Sequence, residues 1–108
     1  MNTLNQEKLA AMVQDSIHND FPYVVRTISI PLSIAEGYNF NVSFRKNTDG
    51  EITVLTIEVR HGDKEAAHQF TREELGRMTP FAQEYAIRMA VKDLVIAVWD
   101  EVKKQGVV

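Results

Sequence analysis

The chain has 108 residues, 44% hydrophobic and 25% charged, with a formal net charge of −3. That length holds one domain, expected over 1–108, with one core, and the composition excludes a disordered or membrane-embedded chain. No global basic field is present to attract nucleic acid or an anionic membrane, and the absence of cysteine rules out disulfides, thiolate metal sites and a cysteine nucleophile.

The first seven residues lack the basic and then apolar regions of a signal peptide. Thr3 and Gln6 have capping-box spacing. Leu9, Met12, Val13 and Ile17 then recur at helical spacing, which predicts an amphipathic helix. Asn19-Asp20 and Pro22 are expected to end it, because proline cannot donate and disfavours helix in the residue before it.

From 24 to 59 the period changes to two. Ile28, Ile30, Leu32 and Ile34 alternate with polar or small residues, and Tyr38, Phe40, Val42 and Phe44 do so again after Ala35-Glu36-Gly37. Asn47-Thr48-Asp49-Gly50 is a turn, followed by Leu55, Ile57 and Val59. Opposed residues share a face. A three-residue loop at 35–37 sets Ile34 against Tyr38, and a four-residue loop at 47–50 sets Val42 against Leu55 and Phe40 against Ile57. Both place the apolar residues on one side, so a three-stranded antiparallel meander is predicted. Thr27, Ser29, Ser33, Asn39, Asn41, Ser43, Arg45, Thr56 and Glu58 are expected on the polar face. That face has no aromatic residue for stacking nucleic-acid bases.

After the turn at His61-Gly62-Asp63, the stretch Lys64–Thr71 suits either a fourth strand, with Ala66, His68 and Phe70 facing the core, or a helix. Thr71 and Glu74 form a second capping box, opening a short helix through Met78. Thr79 caps a long final helix, Pro80 takes its first position, and Gly106 closes it. The predicted class is therefore α+β: an N-terminal helix, a three- or four-stranded antiparallel meander, a short helix, and a long C-terminal helix packed on one sheet face.

The long helix is apolar on more sides than a sheet can cover. At about 100° per residue, Ile87, Val91, Leu94 and Val98 form one stripe, flanked by Val95 and Val102. Phe81, Tyr85, Met89, Ile96 and Trp99 lie further round and need a second cover, either the N-terminal helix or another copy of the chain. The uninterrupted apolar run from Leu94 to Trp99 is too short to span a bilayer, which takes about 20 residues. A cytoplasmic protein with no membrane partner is expected.

Little in the chain suggests chemistry. His61, Asp63, Glu65 and His68 are the richest ionisable group, yet their spacing matches no recognised metal-ligand motif. His68 is expected as a hydrogen-bonded core histidine and His18 as a helix-surface residue. No serine has a nucleophile-elbow context and no glycine loop cradles phosphate. Glu73-Glu74 and Lys103-Lys104 suit the dipoles of their helix ends. No catalytic residue, cofactor or metal is expected.

The order helix, three strands, helix resembles the arrangement of double-stranded RNA-binding domains. The resemblance is one of topology. Those domains present a lysine-rich N-terminus on their last helix, where this chain has Thr79-Pro80-Phe81-Ala82-Gln83-Glu84. A nucleic-acid-binding module is accordingly the alternative expectation. The leading one is a small non-catalytic adaptor, accessory or inhibitor-type protein that binds protein. A homodimer is expected, joined through Phe81, Tyr85, Met89, Ile96 and Trp99, with Trp99 as anchor.

Overall fold

A computed structural model describes residues 4–105. The element order is α1 (Gln6–Thr27), α2 (Leu32–Ala35), β1 (Tyr38–Lys46), β2 (Ile52–His61), β3 (Lys64–Thr71), α3 (Arg72–Gly76) and α4 (Pro80–Gln105). The α+β class and the antiparallel meander are as expected, and Lys64–Thr71 is a strand. Thr3 and Gly106, proposed as helix signals, lie outside the described residues.

Helix α1 is longer than its sequence suggests. Asn5 caps it, its side chain accepting from the Lys8 N–H at 3.0 Å. It then runs through Pro22 to Thr27 rather than stopping near Asn19. The buried positions Leu9, Val13, Ser16, Asp20 and Val24 follow one another at three- and four-residue steps. That continuous buried stripe outweighs the cost of a mid-helix proline, about 3 kcal/mol. The Pro22 ring is exposed, so water can reach the carbonyl that its missing N–H leaves unpaired.

The expected strand through Ile28, Ile30, Leu32 and Ile34 does not form. Helix α1 instead ends in a Schellman arrangement: Ser29 is left-handed at φ 59°, and the Ile30 N–H donates to the Val25 carbonyl at 2.9 Å. Pro31 follows, then the single turn of α2. The apparent period of two is not a sheet face, since Ile30 is buried whereas Leu32 is 75% exposed.

The meander is β1-β2-β3. Its first hairpin pairs Phe44 with Leu55, Val42 with Ile57 and Phe40 with Val59. This is two residues away from the expected register, and because side chains alternate with period two the apolar faces still coincide. The shift comes from the loop. The Asn47 side chain accepts from the Asp49 and Glu51 N–H groups at 2.9 and 3.0 Å, and Glu51 is thereby drawn into the connection. An irregularity at Arg45/Lys46 absorbs the remainder. The second hairpin closes with Gly62 at φ 62°, in the first central position of a two-residue turn.

Three rows cross the sheet on its helix side: Phe44–Leu55–Phe70, Val42–Ile57–His68 and Phe40–Val59–Ala66. Helix α4, capped by Thr79 accepting from the Ala82 N–H at 3.2 Å, lies against β2 and β3. Its Ile87, Val91, Leu94, Val95 and Val98 are buried there, as the stripe predicts. Helix α1 lies beside α4 and runs in the same direction, since Asp20 reaches Arg88 and Tyr23 reaches Lys92. Phe21 joins it to β1, with ring centroids 5.2 Å from Tyr38 and 5.1 Å from Phe40. Tyr38 donates its hydroxyl to the Val95 carbonyl at 3.1 Å, tying β1 to α4. The short helix α3 carries the expected Thr71–Glu74 capping box, but ends at Gly76.

Candidate interaction surface

With the sheet covering one side of α4 and α1 one flank, an outer arc of the helix stays uncovered by the described residues. Phe81 is 79% exposed, Tyr85 61%, Met89 38% and Ile96 37%. These four are spaced by four, four and seven residues, which keeps them within one angular sector. They extend over about 22 Å of helix at 1.5 Å per residue. The N-terminal helix thus packs on α4 without covering this arc.

Trp99 stands differently from its predicted companions. It is half-buried and packs against the core, with the Lys103 ammonium 5.5 Å from its ring centroid. Tyr23 of α1, not singled out in the sequence, is 53% exposed beside the arc, with Lys92 5.7 Å over its ring. Met89 and Ile96 flank the charged pair Lys92 and Asp93 at the middle of the helix.

The strongest electrostatic feature lies between α1 and α4. Asp20 is 4% exposed. Its carboxylate accepts from Arg88 Nε at 3.0 Å, Arg88 Nη2 at 2.9 Å and Ser16 Oγ at 2.8 Å. The Arg88 hydrogen bonds hold the carboxyl below the usual aspartate range against the opposing effect of burial, and they raise the guanidinium in return. Met12, Asp15, Asn19 and Glu84 rim the cleft above. Sequence reading passed over this cluster. Its trace was two polar residues, Ser16 and Asp20, falling on the buried stripe of a helix.

The ionisable group around the second hairpin is not brought together. His61 lies on the helix side, its ring 5.6 Å from that of Tyr38. A Cβ on Gly37 would come within 2.7 Å of His61 Nε2, so glycine is needed for that approach. Glu65 projects from the opposite face and pairs with Arg60 at 2.8 Å. His68 shares the helix side but is exposed rather than in the core, packed edge-on against Phe70 at 4.5 Å. The helix layer does not extend over this part of β3. His18 is exposed on α1, as expected. Among the described residues no three histidine, cysteine or acidic side chains converge to hold a metal.

The open face of the sheet carries Asn39, Asn41, Ser43, Arg45, Thr56 and Glu58 as expected, together with Arg60, Glu65 and Gln69. Thr27, Ser29 and Ser33 are absent from it, since they belong to the α1 end and α2. Polar groups there satisfy one another: Asn41 donates to Glu58 at 2.9 Å, and Arg60 pairs with Glu65. Among the described residues no helix is long and apolar enough to cross a membrane.

No protein family matches the chain, and neither the curated proteins nor the solved structures give a significant match.

Proposed function

We propose that this protein is a non-catalytic, cytoplasmic interaction module that associates with a second copy of itself through the outer arc of α4. One observation carries the reading: Phe81, Tyr85, Met89 and Ile96 remain exposed together after α1 and the sheet have taken their places on the helix. Clusters of exposed apolar side chains of this size are often interaction sites.

Two aromatic rings dominate the arc. An aromatic side chain offers roughly 150–250 Å², so Phe81 and Tyr85 at their observed exposure supply about 250–300 Å². A stable interface buries about 800 Å² on each partner. The arc therefore acts as the apolar centre, crossed by Lys92, and Tyr23, Asp93 and Asp100 border it. Burying Tyr85 at the middle of such a patch dominates the binding energy, as aromatic anchors commonly do. Trp99, half-withdrawn beneath Lys103, borders that centre.

Light scattering on the wild-type chain over the micromolar range tests the proposal. A mass of at least twice the 12.3 kDa of one chain is expected. A mass of one chain throughout, or salt-dependent capture of duplex RNA by the single chain, would overturn it.

A further inference from the structure

A second surface, independent of α4, lies along β1. Among the described residues, in the order β1-β2-β3, this strand pairs with β2 alone, which leaves its other backbone edge without a strand. Edge strands are ordinarily blunted by lysine, proline or a bulge. The seven residues Tyr38-Asn39-Phe40-Asn41-Val42-Ser43-Phe44 contain none of these, and their pairing stays regular until Arg45/Lys46. The other edge carries charge, since β3 opens with Lys64-Glu65.

Helix cover thins toward β1 as well. Leu55, Ile57 and Val59 of the central strand are 0% exposed, whereas Phe44, Val42 and Phe40 beside them are only half-buried. A strand laid along this edge must therefore carry apolar side chains toward the helix layer and small polar ones toward the open face. β1 itself carries that pattern.

We propose that the β1 edges of two copies pair antiparallel about a two-fold axis at Asn41, joining two three-stranded sheets into one of six strands. An axis through a residue pairs positions equally spaced about it. Tyr38 then opposes Phe44, Phe40 opposes Val42 and Asn39 opposes Ser43, each with a residue of its own face. An axis between two residues would set apolar against polar and is excluded by the same parity. Asn41 is the centre of the uncharged stretch, so this register leaves Arg45 and Lys46 outside it.

Each surface closes on its own two-fold, so engaging both gives assemblies of four chains or more. Asn39 and Ser43 are exposed on the open face, and changing them leaves the core untouched. Asn39→Lys/Ser43→Lys sets lysine against lysine at both symmetric positions and is expected to weaken edge pairing about tenfold and halve the mass by light scattering. Asn39→Lys/Ser43→Glu sets lysine against glutamate and restores the wild-type mass, which a merely destabilised fold would not do. In wild-type protein, hydrogen exchange of the β1 amides slows as concentration rises, a readout independent of any variant.

Failure of this proposal is separable from failure of the α4 reading. If Asn39→Lys/Ser43→Lys leaves the mass unchanged and β1 exchange is concentration-independent, edge pairing is overturned whatever α4 does. If those substitutions halve the mass while Tyr85→Asp/Ile96→Asp does not, edge pairing stands and the α4 reading falls. Failure of Asn39→Lys/Ser43→Glu to recover the mass overturns the register at Asn41.

Discussion

Arg88 grips Asp20 with two hydrogen bonds of 3.0 and 2.9 Å across 68 residues of chain. The two partners are unequal: the carboxylate side chain is 6% exposed, the guanidinium side chain 47%. This asymmetry decides what each substitution costs. Arg88→Ala strands a buried charge with only Ser16 to satisfy it, and is expected to destabilise by about 3 kcal/mol, the low end for a broken buried pair because one partner reaches solvent. Asp20→Asn leaves a guanidinium that water can hydrate, and should cost about 1–2 kcal/mol. Urea midpoints of the two variants check the order.

The same pair sets an acid limit. The folded carboxyl of Asp20 titrates below its unfolded value of 3.8. Its contribution to stability is therefore complete above that value and is lost as pH falls through the folded pKa. Wild-type stability should drop more steeply than that of Asp20→Asn as pH is lowered below about 4, measured by denaturant unfolding at each pH. Parallel curves would show that the pair carries no linkage.

Ser29 holds a left-handed conformation, φ 59°, that glycine adopts without a Cβ penalty. It ends α1 where Ile30 turns inward to the core. Ser29→Gly should stabilise the fold by about 1 kcal/mol, raising the melting temperature by a few degrees. A lower melting temperature would mean that the serine side chain contributes more than the backbone strain removes.

Tyr38 is 8% exposed, and burial, with the Asp100 carboxylate adding to it, pushes its phenol up to about 12. The folded value exceeds the unfolded one of 10.0. The resulting stability is present below pH 10 and declines as pH rises toward 12. Tyr38→Phe should remove that alkaline decline and cost about 1 kcal/mol at neutral pH through the lost hydrogen bond to the Val95 carbonyl. Thermal unfolding from pH 9 to 12 compares the two chains.

How much of this was readable in the chain follows from how local each cause is. The buried stripe of α4 was legible because Ile87, Val91, Leu94 and Val98 share one helical period; the same arithmetic marked a second apolar stripe but not whether α1 covers it. The faces of the hairpin were legible too, although their register was not. Asn47 side-chain bonding sets the loop length, and a two-residue error leaves every face unchanged. The end of α1 was not legible. Asp20 interrupts the apolar pattern, and its partner is 68 residues away. Residues 24–34 then imitate strand alternation with side chains that are mostly β-branched. Trp99 shares the angular sector of Phe81, and its partial withdrawal depends on the core contacts of a folded chain.

The outer arc of α4 is proposed as an interface between copies of this chain. Its most direct test is the solution mass, by light scattering at matched micromolar concentration, of wild-type protein and of Tyr85→Asp/Ile96→Asp, with circular dichroism confirming the fold of both. The double substitution is expected to halve the mass. An unchanged mass, or a wild-type chain already at 12.3 kDa, would contradict it.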